Sequence, residues 1–271
     1  MINFVLVHIG SQLPSHFKYC VQQIRKTNPI SPIYIITDTT NISISDNNTF
    51  LIPTSELQVP DIGEYYRYHP VGPLFRTSML RLFYLESFLI KYKIQDIVHF
   101  DNDVLIYENV DIIANELKKH NFMITSFNDL NYVFGFSYIK NSASFLELNK
   151  NLFQLVIMGE RVLEPMIGSM PHEMRLMQYV NQNNGGKYIE VLPVLPTDLN
   201  FSEFNYCFDP SSYGQFLGGL APEKDKYIGS KIIENKIKVI FDNRKPYVII
   251  DNVRYNIFNL HVHNKQLHNF L

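Results

Sequence analysis

The chain has 271 residues, 46% of them hydrophobic and 18% charged, and a net charge of −2. That length and balance suit a folded chain with a sizeable core rather than a disordered one, and the charge argues against a nucleic-acid binder. Two cysteines, Cys20 and Cys207, supply neither a disulfide framework nor a cysteine zinc site, which fits a reducing, cytoplasmic setting.

Asn3 to Ile9 (NFVLVHI) is an apolar run broken by Gly10-Ser11 and reads as a buried strand. It is too short to span a membrane and lacks the charged start of a signal peptide; no later stretch is long enough to span either. Pro14 opens a helix whose Phe17, Cys20, Val21 and Ile24 recur at helical spacing, ended by Asn28-Pro29. Pro32 to Asp38 is a second buried strand that finishes on an acid. Strand, helix and strand at this spacing predict a right-handed βαβ unit, and so a parallel sheet covered on both faces. Ligands of such sheets sit at the carboxyl ends of the strands, where Gly10 and Asp38 fall. Asn41 to Asn48 reads as a polar loop and Phe50 to Ile52 as a short strand. Asp61 to Gly72, with Tyr65, Tyr66, Arg67, Tyr68 and His69, reads as a loop near a site. A long amphipathic helix begins at Leu74. Its Arg76 and Arg81 are either solvated cations or partners for a phosphate or a carboxylate.

Val98 to Tyr107 (VHFDNDVLIY) is the most informative stretch. An apolar run enters, Asp101 and Asp103 interrupt it, and an apolar run leaves. Two carboxylates inside a buried strand are costly, so the strand is expected to end at Asp101, with the acids meeting something positive. One intervening residue lets both side chains converge at a bend. Hard divalent cations want such oxygens and often also hold substrate phosphates. The plain alternative is an Asx turn between two strands.

Further along, Val110 to His120 reads as a short helix and Asn121 to Ser126 as a strand. Tyr132 to Ile139 is an apolar run whose Gly135 signals a bulge or a close approach. Ser142 is expected to cap a helix running to about Met158, and 161–171 reads as a loop. A helix follows from Pro171 to Val180. Glu173 in its first turn suits the helix dipole and could equally face an acceptor. Tyr188 to Leu195 reads as a strand kinked at Pro193. Phe208 to Gly219 (FDPSSYGQFLGG) reads as a loop of demanding backbone geometry. Lys238 to Phe241, Tyr247 to Ile250 and Val253 to Ile257 read as hairpin strands, the first two joined through 242–246. In the tail, His261 and His263 alternate and Lys265 follows. An imidazole completing an aspartate metal shell, with a lysine beside a diphosphate, forms a coherent leaving-group site. Mn²⁺ accepts mixed oxygen and imidazole ligands more readily than Mg²⁺.

Asp101-Asn102-Asp103 resembles the DxD motif of GT-A-fold glycosyltransferases. Arg81-Leu82-Phe83-Tyr84-Leu85, followed by Ile97 to Tyr107, resembles the same stretch in family-8-like enzymes and their capsular-polysaccharide or viral relatives. Leu260 to Lys265 resembles their closing His…Lys element, and Phe208 to Gly219 a loop of polysaccharide-type transferases. The resemblance covers about residues 1 to 140 plus the tail. It implies one GT-A domain over 1–271, a Rossmann-like mixed α/β fold with a mostly parallel sheet flanked by helices. About 1–140 would bind the nucleotide sugar, and about 141–271 would form a smaller, irregular acceptor side with a metal-binding tail.

The resemblance also implies an activity: metal-dependent hexosyl transfer from a nucleoside-diphosphate sugar, a UDP-sugar, to a glycan or protein-linked acceptor, as in polysaccharide biosynthesis. Asp103 would be the principal ligand of Mn²⁺ or Mg²⁺. Asp101 would touch the metal through water or hold the donor ribose or sugar. His263, or else His261, would complete the shell, and Lys265 would contact the diphosphate. His8, Gly10 and Asp38 would hold the uridine, and Arg81 would hold Asp101 or the donor sugar. The tail reads HxHxK instead of the longer His-Gly-Lys-Pro spacing, which leaves open the metal-binding histidine and the stereochemical outcome. Inversion needs a carboxylate base on the acceptor side, with Glu173 the first candidate and Asp209 the second. Two rival readings are a metal-dependent nucleotidyltransferase and a non-catalytic carbohydrate-binding protein on a transferase fold. The first lacks a Gly-rich, basic phosphate loop near the first strand; Asp101, Asp103, His263 and Lys265 together argue against the second. A monomer or homodimer without a membrane span, at most peripheral to a membrane, is expected.

Overall fold

The computed structural model describes residues 1–39, 46–67, 72–128, 130–218 and 237–271. The expected βαβ unit opens the chain as β1 (Asn3–His8), α1 (Phe17–Thr27) and β2 (Ile33–Thr37). Then come β3 (Thr49–Pro53), the long α2 (Gly72–Tyr92), and β4 (Ile97–His99) and β5 (Val104–Ile106) on either side of the acidic triplet. The middle of the chain forms α3 (Ala114–Leu117), β6 (Phe122–Asn128), β7 (Asn131–Ile139), α4 (Ser142–Val156), α5 (Glu160–Ile167) and α6 (Glu173–Asn183). The last part holds β8 (Glu190–Val191), α7 (Phe201–Phe204), α8 (Tyr213–Leu217), and β9 (Lys238–Asp242), β10 (Lys245–Ile250), β11 (Val253–Asn256) and β12 (Asn259–His261).

The central sheet has the order β3-β2-β1-β4-β7-β6-β8. Its pairings are parallel except where the antiparallel β7 meets β4 and β6. The architecture is therefore mixed α/β with a mostly parallel sheet between helices. Side chains on a strand alternate between faces. Phe4, Leu6, Ile33 and Ile35 accordingly join Phe17, Cys20 and Ile24 of α1 in one core. Val5 and Ile36 join Leu82 and Phe88 of α2, Leu148 of α4 and Met177 of α6 in the other. Continuous apolar strands follow from having both faces covered.

Several expectations need correction. The 161–171 stretch is mostly the helix α5, bounded by Gly159 and Gly168, both at positive φ (78° and 68°). Pro165 lies inside it and does not stop it. Asn141, not Ser142, caps α4, its side chain accepting from the Ser144 N–H. The Val110 to His120 helix splits into a 3-10 turn and the single turn α3. The Tyr188 to Leu195 strand shrinks to the two residues of β8, and 208–219 contains α8. In the first hairpin only Asn243 and Arg244 form the turn, at φ 50° and 62°, and Lys245 and Pro246 already pair with β9. Such two-residue, positive-φ turns match the twist of a hairpin. Asn41 to Ser45 of the polar loop, Tyr68 and His69 of the aromatic stretch, and Gly219 lie outside the described residues.

The C-terminal residues belong to the core. β12 pairs antiparallel with β5, Leu260, Val262, Leu267 and Phe270 are buried, and the Tyr107 hydroxyl donates to the Phe270 carbonyl at 2.9 Å.

Candidate functional site

The acidic triplet is a turn between two strands that belong to different sheets. β4 stays in the central sheet, while β5 leaves it to pair with β12. The turn closes through Val104 N–H to Asp101 O at 3.1 Å. It is pinned from outside by Asp101 N–H to Phe134 O at 3.0 Å and by Val262 N–H to Asp103 O at 2.9 Å. The second contact brings the tail to the triplet.

Three donor side chains meet there. The Asp103 carboxylate and both tail imidazoles, His261 and His263, offer ligand atoms within 4.8 Å of one another, and Asp103 and His261 are buried. His261 Nε2 lies 3.0 Å from Asp103 Oδ1, and the two imidazole rings stack with centroids 4.2 Å apart. Lys265, at φ 61°, turns back to pair with the other Asp103 oxygen, and His263 Nε2 bonds to the Ser211 hydroxyl. Burial alone would raise the Asp103 carboxyl, but His261 and Lys265 outweigh it and hold it below the usual carboxylate range. Burial opposes a charge on His261, yet Asp103, then Asp101 and Asp209, outweigh it and raise its pKa. For His263, burial and the neighbouring His261 act together and lower it to about 4, leaving the ring neutral at pH 7.

Asp101 points the other way. It pairs with Arg81, and its second oxygen stands 3.7 Å from His261 Nε2, at the edge of the donor cluster. Arg81 is buried, lies over the Phe134 ring at 4.5 Å, and reaches Glu173 at 3.5 Å. Glu173 stands in the first turn of α6 and is only 6% exposed. Burial raises its carboxyl to about 7 against the opposing pull of Arg81.

The nucleotide-side candidates separate. His8 faces the cavity. Gly10 and Asp38 bond to each other, Gly10 N–H to Asp38 Oδ2 at 3.1 Å, and Asp38 also accepts from Thr54. They tie the ends of β1 and β2 together, outside the cavity lining. Asp209 is fully buried, and its two oxygens accept from the N–H groups of Ser212, Tyr213, Gly214 and His261 at 2.7–2.8 Å. A carboxylate so saturated, and away from the cavity, has no lone pair left for an acceptor proton. These four bonds make Asp209 a cap that ties α8 to β12.

A cavity of about 610 Å³ joins these groups. Its lining combines the polar groups Asp101, Asp103, His261, His263 and Lys265 with the apolar Phe75, Phe127, Phe134 and Met174, and includes Arg81 and Glu173. One carboxylate and two imidazoles form a mixed oxygen and nitrogen donor set for a divalent transition-metal cation, Mn²⁺ among them. His261 Nδ1 is buried without a hydrogen-bond partner among the described residues. The residues present therefore fit a metal. Sequence reading gave no site role to His16, Asn102 or Ser211: a lone histidine carries no signal, and Asn102 and Ser211 lie in stretches whose signal came from the aspartates and from the backbone geometry.

No protein-family model and no curated protein matches the sequence. Among solved structures, mouse xyloside xylosyltransferase 1 in its apo form is similar at 9% identity and a TM-score of 0.48, over 76% of this chain and 94% of that one. The glycosyltransferase GlyE of Streptococcus pneumoniae is similar at 10% identity and a TM-score of 0.48, over 96% of this chain and 54% of that one. The galactosyltransferase LgtC, in complex with donor and acceptor sugar analogues, gives 9% identity and a TM-score of 0.38, over 71% and 73%. Among the described residues, no helix is long and apolar enough to cross a membrane.

Proposed function

We propose that the protein is a metal-dependent glycosyltransferase of GT-A type, moving a sugar from a UDP-sugar to a glycan or protein-linked acceptor. The observation that carries this reading is the meeting of Asp103 with His261, His263 and Lys265, from distant parts of the chain, at strand ends that open on a cavity. Asp103, His261 and His263 would hold the cation. When bound, it supplies Lewis-acid stabilisation of the departing diphosphate. Lys265 adds a positive charge beside that diphosphate as the leaving group gains charge. Arg81 keeps Asp101 turned toward the donor sugar, and His8 borders the nucleotide. About 1–140 serves the donor, and about 141–271 the acceptor, apart from the metal-binding tail that reaches back to the diphosphate.

In this reading the acceptor hydroxyl forms a new bond to the anomeric carbon as the bond to the diphosphate breaks. Glu173 takes the hydroxyl proton. A carboxylate held near 7 by burial is matched to that task at neutral pH. The test is Asp103→Ala, which is expected to abolish Mn²⁺-dependent hydrolysis of a UDP-sugar. Hydrolysis at the wild-type rate would overturn the metal assignment.

A further inference from the structure

His16 occupies the N-cap position of α1 but does not cap it. Its ring is used elsewhere. His16 Nε2 lies 2.9 Å from Asn102 Oδ1, and Asn102 Nδ2 lies 3.4 Å from His8 Nδ1. His8 Nε2 in turn meets the Gln12 carbonyl at 2.8 Å. His16 is 8% exposed, so the His16–Asn102 contact is built in rather than draped on the surface, while the His8–Gln12 contact lies at the surface.

For a neutral His8 ring, the chemistry of the partners assigns the donor and acceptor roles. A carbonyl only accepts, so His8 Nε2 carries hydrogen and the neutral ring leaves Nδ1 as an acceptor. That acceptor needs a donor, which places the Asn102 amide nitrogen on the His8 side and its oxygen on the His16 side. The oxygen only accepts, so His16 Nε2 carries hydrogen. A flipped amide would set oxygen against the bare Nδ1 of His8, losing that bond.

We infer that Asn102, between the two aspartates, is a positioning residue clamped by His8 and His16, and that His16 sets the aim of the acidic triplet. The clamp joins the end of β1, the start of α1 and the β4–β5 turn. An acidic turn pinned through its backbone on one side is thereby held through a side chain on the other. A carboxylate bound to an ion gains from being held in place beforehand, and residues that orient ligands commonly change metal affinity ten- to hundredfold. The effect on metal rests on the proposed function; the clamp itself does not.

The experiment has two arms. In metal-free protein, imidazole ¹⁵N–¹H correlation spectra are expected to show His8 and His16 both as neutral Nε2–H tautomers. In His16→Ala the exchange-protected His16 N–H is gone and the Asn102 side-chain amide resonances shift. Mn²⁺ affinity, read by electron paramagnetic resonance, is expected to fall about tenfold in His16→Ala. His16→Gln, which can still donate to Asn102 Oδ1, restores it to within about threefold, while thermal stability stays equal in the two variants. Equal Mn²⁺ affinity in wild type and His16→Ala overturns the positioning role. An Nδ1–H tautomer at His8 in wild type overturns the clamp. Absence of Mn²⁺ binding by wild type, with the tautomers as stated, leaves the clamp supported and overturns the metal reading instead.

Discussion

Glu173 sits where two influences oppose each other: burial disfavours its charge and Arg81 favours it, and burial wins, raising the carboxyl to about 7 from its ordinary 4.5. A raised acid stabilises the fold while protonated, and that contribution is lost as pH climbs from the unfolded value through the folded one. Glu173→Gln mimics the protonated side chain. It is expected to match wild type below pH 4.5 and to become more stable above it. The difference levels off above pH 7 at up to about 3 kcal/mol, read from denaturant unfolding across pH. A flat difference would remove the burial account. Catalysis runs the other way. The proposed base acts when ionised, so the wild-type transfer rate is expected to rise through about pH 7, and Glu173→Gln to cut it by about 10² or more. A transfer rate that falls over the same range would contradict the role. The burial behind this could not be seen in the sequence: a glutamate in the first helical turn is ordinary, and its burial beside Arg81 at the cavity makes it unusual.

At the scale of elements, α8 and β12 behave as one unit joined by Asp209. Replacing Asp209 by alanine leaves four buried N–H groups unpaired. Unsatisfied buried donors cost about 1–3 kcal/mol each, so a loss of at least about 3 kcal/mol in unfolding free energy is expected. Asp209→Asn with wild-type stability and no transfer activity would instead restore the base assignment. Gly214 adds a second constraint. A Cβ there would collide with the His261 carbonyl, so Gly214→Ala is expected to displace β12 and weaken Mn²⁺ binding, as measured by titration. Unchanged Mn²⁺ affinity would break the link between the helix and the metal ligands. The glycines and the aspartate of FDPSSYGQFLGG mark demanding geometry in the sequence. What the geometry serves was hidden, since the partner is the backbone of β12, some fifty residues away.

At the scale of the whole molecule, the elements nearest the N-terminus were the most legible. β1, α1, β2 and the ends of β4 follow from apolar runs and helical spacing, signals local to each segment. The region after β7 was less so. Short elements such as β8, α7 and α8 carry no periodicity, and Pro165 and Gly168 look like breakers even where α5 forms. The tail was legible as chemistry but not as core, because HxHxK points to ligands while the burial of Leu267 and Phe270 depends on Tyr107 and β5. Deleting 267–271 is expected to lower the melting temperature by about 10 °C or more, as the loss of buried Leu and Phe side chains requires. A shift of a degree or two would show the tail to be an appendage. The most direct test of the account is the thermal shift of the full chain with UDP, in the presence and absence of Mn²⁺. The account predicts stabilisation by UDP with Mn²⁺, little by UDP alone, and none by either arrangement in Asp103→Ala. Equal stabilisation by UDP with and without Mn²⁺, or in Asp103→Ala, would contradict it.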